Sequence, residues 1–214
     1  MVAVVPRSAP NRWPLLATLG LAAAAALSFW LVAALPYLRW DPAYFGDAFW
    51  PRRYGLIVHI AGGSVALLVG PLQLWLGETR SKLNWHRTLG TLYLLGVAIG
   101  VLGSLYLAFT TTVGWLYTVG LLGLAAAWAV TTGMAYGAIR RRAIERHREW
   151  MIRSYVVTLA FVVFRAVVAG LGAFEVGTFE SRRTIAAWAG WVVPLLILEP
   201  CLRWRKSQRL RPRA

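Results

Sequence analysis

Six stretches of this chain are long and apolar enough to cross a hydrocarbon layer of about 30 Å, which takes about 20 helical residues. They fall near 14–37, 54–76, 89–109, 113–139, 150–174 and 185–202. The connections between them are short, so successive helices should run antiparallel. No stretch is left over for a separate soluble domain. The expected architecture is therefore all-α: one six-helix membrane domain over 1–214.

Composition agrees with a lipid environment. The 214 residues are 58% hydrophobic and include twelve tryptophans, outside the range of soluble domains. A formal charge of +15 could suggest nucleic acid. The basic residues, however, sit in short segments between apolar runs, with no polar domain carrying base-stacking aromatics, so nucleic acid is not an expected partner. The single cysteine, Cys201, has no partner for a disulfide or a CxxC pair. The first apolar segment is longer than the 7 to 15 residues of a signal-peptide core, and a retained helix is expected.

Charge then orients the bundle, because lysine and arginine collect on the cytoplasmic face. With the N-terminus inside, sixteen of these residues fall on that face, from Arg7 and Arg12 through Arg140, Arg141 and Arg142 to Arg211 and Arg213. The opposite face holds Arg39, Arg52, Arg53, Arg182 and Arg183. Both termini are expected to be cytoplasmic. The segment RWDPAYFGDAFWPRR, between the first two spans, has the aromatic and proline content of a loop lying in the outer headgroup layer, where it could act as a lid.

Three spans carry polar residues at alternating steps of four and three, the spacing of one helix face turned toward partners. The second has His59, Gly63, Ala66, Gly70 and Gln73; the third has His86, Gly90, Tyr93, Val97, Gly100 and Ser104; the fifth has His147, Met151, Ser154, Thr158, Phe161 and Arg165. His86 and His147 start inward-beginning helices. His59 lies near the outer boundary. Arg165 is eighteen residues beyond His147, about 27 Å of rise, which puts it near the level of His59. An arginine in hydrocarbon costs at least about 2.5 kcal/mol on insertion scales, so it needs a cavity, an acid or a polar ligand. Asp41, Asp47 and Glu175 are its candidate acidic partners. Arg153 can reach the cytoplasmic interface. Glu199 is expected to pair with Arg153 or Arg203, or to join His86 and His147 around a cation.

The segments HIAGGSVALLVGPLQL, NWHRTLGTLY and HREWMIRSYVVTLAFVVFR together resemble a family of bacterial membrane proteins, domain of unknown function 2306, over about 54–170. The resemblance implies a multi-pass protein of the bacterial cytoplasmic membrane and marks His59, His86, His147, Arg153 and Arg165 as motif positions. It implies no reaction. The chain is more distantly similar to membrane di-haem cytochromes of the b type. That similarity implies haem b, with His86 and His147 as iron ligands between the third and fifth helices, and a place for His59 on the second. The fourth span departs from the pattern, since it contains no histidine.

Three functions stay open at this point. One is electron transfer through a haem at His86 and His147, with His59, Arg165 and Tyr54 forming an outer pocket for a quinone or an anionic donor. The second is transport of a small anion by Arg165, with Gln73, Ser104, Ser154 and Thr158 lining a pathway. The third is a non-catalytic membrane subunit or assembly factor that partners another membrane protein. Enzymatic chemistry is not the expectation. Nucleophile motifs, phosphate-binding loops and dinucleotide fingerprints do not occur, and no HxxxH or HxxE pair supplies two zinc ligands from one helix.

Overall fold

The computed structural model describes residues 13–210; Arg7, Arg12, Arg211 and Arg213, used above to orient the chain, lie outside them. The described residues are helical apart from short connections, and none of them forms a strand. Six crossings are long and apolar enough to span a bilayer.

The first crossing begins as α1, Trp13–Phe29, widens to a π turn over Trp30–Ala34 and tightens to a 3-10 turn over Leu35–Arg39. Pro36 explains the change of pitch. It donates no N–H, and in a regular α-helix its ring would press on the carbonyl four residues back, so the ladder opens before it and narrows after it. Trp40, in the left-handed region at φ 53°, ends the turn. Asp41 then caps a short helix α2, Pro42–Phe49, by accepting a hydrogen bond from the Ala43 N–H at 2.9 Å. Proline at the first helical position suits that start. The expected interfacial loop is thus partly helical. It folds on itself through edge-to-face rings: Phe45 meets Tyr37, Trp40 and Trp50 at 5.1, 5.8 and 5.6 Å.

The second, third and fourth crossings are single helices: α3, Arg53–Thr79; α4, Leu83–Phe109; and α5, Trp115–Arg140. They extend past the apolar limits read from sequence because their charged ends continue the same backbone ladder. Backbones of α3 and α4 touch directly, since a Cβ on Gly62 would overlap the Gly96 and Gly100 main chain. The last crossing is α8, Phe179–Leu210.

The fifth crossing corrects the expectation of one helix over 150–174. It is two helices, α6 at Ile144–Thr158 and α7 at Ala160–Ala173, broken at Leu159. The Thr158 hydroxyl donates back to the Ser154 carbonyl at 2.9 Å, a bond that competes with the helix ladder and bends it. Above the break the chain changes neighbours. Whereas α6 packs on α3, α5 and α8, α7 packs chiefly on α8 and lightly on α1. This divergence leaves a space inside the bundle at the end that carries α2.

Candidate functional site

That space is a cavity of about 350 Å³ bounded by all six crossings, within the size range of small-molecule sites. Most of its wall is apolar, including Leu56, Ile60, Leu67, Leu124, Val157 and Phe161. Its polar groups are His59, Ser64, Ser104, Thr111, Tyr117 and Thr158 with the guanidiniums of Arg52, Arg165 and Arg183. Among the described residues, no aspartate or glutamate lines it. A Cβ on Gly63 would meet no atom within 4 Å, so a side chain at this position of the α3 face would point into open space at the cavity wall.

His59 is held in one orientation. Its Nδ1 lies 2.9 Å from the Gly100 carbonyl; a carbonyl only accepts, so Nδ1 carries the hydrogen and Nε2 is left with its lone pair. The ring packs between Phe161 at 5.0 Å and Trp128 at 6.4 Å.

Three arginines approach the cavity without an acidic partner. Arg52 donates to the Ala48 and Thr110 carbonyls at 2.8 and 3.1 Å. Its guanidinium lies 5.1 Å from the Phe49 ring, and that of Arg183 lies 5.9 Å from the same ring and 4.6 Å from Phe179. Arg165 forms no hydrogen bond or ion pair with any described residue, and Asp41, Asp47 and Glu175 do not reach it. All three guanidiniums act electrostatically on the Tyr117 hydroxyl. Tyr54, a candidate for the same pocket, is 65% exposed, stands beside Arg53 and Trp40, and does not line the cavity. Arg52, Arg183, Tyr117 and Trp128 were not singled out from sequence as cavity residues. The two arginines read only as topology signals, and nothing local distinguishes Trp128 from eleven other tryptophans.

A hydroxyl network closes the bundle beneath the cavity. Trp128 Nε1 donates to Thr158 Oγ1 at 2.9 Å, and the Thr158 hydrogen goes to the Ser154 carbonyl. With one hydrogen per hydroxyl, the remaining directions follow. Tyr93 donates to Thr158 at 2.9 Å, Ser154 donates to Tyr93 at 2.8 Å, and Thr132 donates to Ser154 at 2.7 Å. Tyr93 and Ser154 are 0% exposed. Next to them, Tyr155 donates to the Leu67 carbonyl at 3.2 Å. Pro71 has no N–H to offer that carbonyl, so Tyr155 takes the place of the missing helix bond.

The other two histidines lie at the opposite end, away from His59. His86 and His147 are near enough for the charge of one to act on the other. His147 Nδ1 donates to the Ala135 carbonyl at 2.9 Å, while His86 Nδ1 is buried without a hydrogen-bond partner. The His86 ring rests on α3, where a Cβ on Gly77 would lie 3.1 Å from its Cε1. Beside them the Gln73 amide stands over Gly90, with Nε2 2.5 Å from a Cβ built on that glycine and donating to the His86 carbonyl at 2.6 Å. Among the described residues no three His, Cys, Asp or Glu side chains gather as metal ligands. Ion pairs surround this end: Arg148 with Glu78, and Arg153 with Glu199 through two bonds of 2.6 and 3.0 Å.

The family model described as predicted membrane protein (DUF2306) matches residues 56–202. The chain belongs to that family. The matched region of this DUF2306 protein contains His59, Arg165, Arg183 and the whole hydroxyl network, whereas Arg52 and the first crossing precede it. No curated protein and no solved structure matches the chain.

Proposed function

We propose that this protein binds an anionic ligand in the cavity at the α2 end of the bundle. One observation carries the reading: Arg52, Arg165 and Arg183 line a largely apolar cavity that has no carboxylate. Positive charge withdrawn from water is costly unless it is paired, and the missing counter-charge is what a ligand would bring. Each guanidinium can grip a phosphate or carboxylate through two parallel bonds. His59 supplies the complementary group, an acceptor at Nε2 for a hydroxyl or other donor on the ligand. The excess of basic residues at the other end supports an outward-facing cavity in a bacterial cytoplasmic membrane.

Binding is favoured over conduction. Ser154 and Gln73, expected as pathway lining, are buried and engaged, and the Tyr93–Ser154–Thr158 network fills the middle of the bundle. The test is thermal unfolding of the purified protein with inorganic phosphate, oleate and phosphatidic acid. At least one should raise the melting temperature of the native chain, and Arg165→Gln should remove most of that rise. If none of the three stabilises the native chain, or if Arg165→Gln responds like it, the proposal falls.

A further inference from the structure

Aromatic side chains roof the water end of the cavity, and one flank of it is thinly packed. At the water end, Phe49 of α2 lies against Arg52 and Arg183, with Tyr37 and Arg52 closing the lining behind it. On the flank, α3 and α7 make no extended contact, and the first crossing lies between them, packed on α3 and only lightly on α7. It is fastened to α3 by Trp30 Nε1 donating to Ser64 Oγ at 2.9 Å. Its π turn contributes Trp30, Ala33 and Ala34 to the cavity wall.

Arg165 marks where this flank opens, because it lines the cavity yet is classed among the exposed residues of α7. It lies eight residues before the end of α7 at Ala173, about 12 Å down the helix axis. At that depth the outside of the bundle faces lipid. Ala166, Ala169 and Gly170, the other exposed residues on that stretch of α7, are small and leave the approach wide.

From this geometry we infer that the ligand is a phosphate-bearing lipid of the bilayer, which enters sideways between the first crossing and α7 past Arg165. This deepens the anion-site reading and rests on it. A lipid phosphomonoester carries up to two negative charges for three guanidiniums, and its acyl chain matches the apolar wall around Leu67, Leu124 and Val157. A water-soluble anion would match the arginines but not that wall, and it would have to pass the aromatic roof.

Native mass spectrometry of the protein from detergent micelles tests the inference with three probes: dioleoyl phosphatidic acid, dioleoyl phosphatidylcholine and inorganic phosphate alone. The native chain should retain phosphatidic acid at least tenfold more than phosphatidylcholine. Arg165→Gln and Gly63→Leu should each reduce that retention at least tenfold, the first by removing charge and the second by filling the cavity. Arg182→Gln should not, because Arg182 does not line the cavity and donates to the Val176 carbonyl. Arg165→Gln removes no buried packing and keeps the test valid if Gly63→Leu folds poorly. Tighter binding of inorganic phosphate than of phosphatidic acid would overturn the lipid inference and leave the anion site standing. Equal retention of both lipids, or retention unchanged in Arg165→Gln, would overturn the inference. Binding of no probe would overturn the lipid inference.

Discussion

Tyr155 illustrates how a single side chain repairs a defect that the sequence itself creates. Pro71 interrupts the α3 ladder and strands the Leu67 carbonyl, Gly70 removes the Cβ that would overlap the Tyr155 ring, and the phenol then donates to the stranded oxygen. A buried carbonyl without a partner costs about 1–3 kcal/mol. We expect Tyr155→Phe to lose stability by about that amount and Gly70→Ala to lose at least as much by steric overlap, both measured by reversible unfolding in mixed micelles. Tyr155→Phe with native stability would show that the Leu67 oxygen has another donor. Neither role was legible from spacing. Tyr155 fell off the polar stripe that runs through Ser154 and Thr158, because the missing bond belongs to a helix 88 residues away in sequence.

At the level of elements, the fifth crossing decides whether there is a cavity at all. Thr158 draws the chain back toward Ser154 and also accepts from Trp128 and Tyr93, so the break at Leu159 is locked by the same oxygen that floors the site. Thr158→Val keeps the shape and deletes three hydrogen bonds. It should cost about 1–3 kcal/mol, with faster amide exchange at residues 159–162 as its local signature. Ser104→Ala is the contrast: that hydroxyl bonds only the Val101 carbonyl of its own helix, and its loss should cost about 0.5 kcal/mol or less. The sequence pattern did identify Tyr93, Ser154 and Thr158 as inward-facing. It did not announce the break, since no proline or glycine stands at 158–160 and a threonine's back-bond is chosen only when tertiary partners stabilise it.

For the whole molecule, the separation of the two ends matters most. The imbalance of basic residues predicts that the α2 end faces outward. In a Cys201→Ser background, a membrane-impermeant maleimide applied to intact cells should label Asp47→Cys and spare Ser81→Cys; the reverse pattern would invert the protein and put the cavity on the cytoplasmic side. The haem expectation is decided by the spectrum of protein purified after haem-replete expression: a stoichiometric Soret band lost in His86→Ala or His147→Ala would establish the two histidines as iron ligands, and the absence of a Soret band would remove that reading. The number of crossings and the level that Arg165 shares with His59 were already legible in the sequence, because hydropathy, helical period and rise per residue are local quantities. Only the tertiary structure decided that Arg52 and Arg183 join Arg165 around one space and that Tyr54 does not. Those facts depend on which helices touch and where one of them bends, and the side chains that set both come from separate parts of the chain.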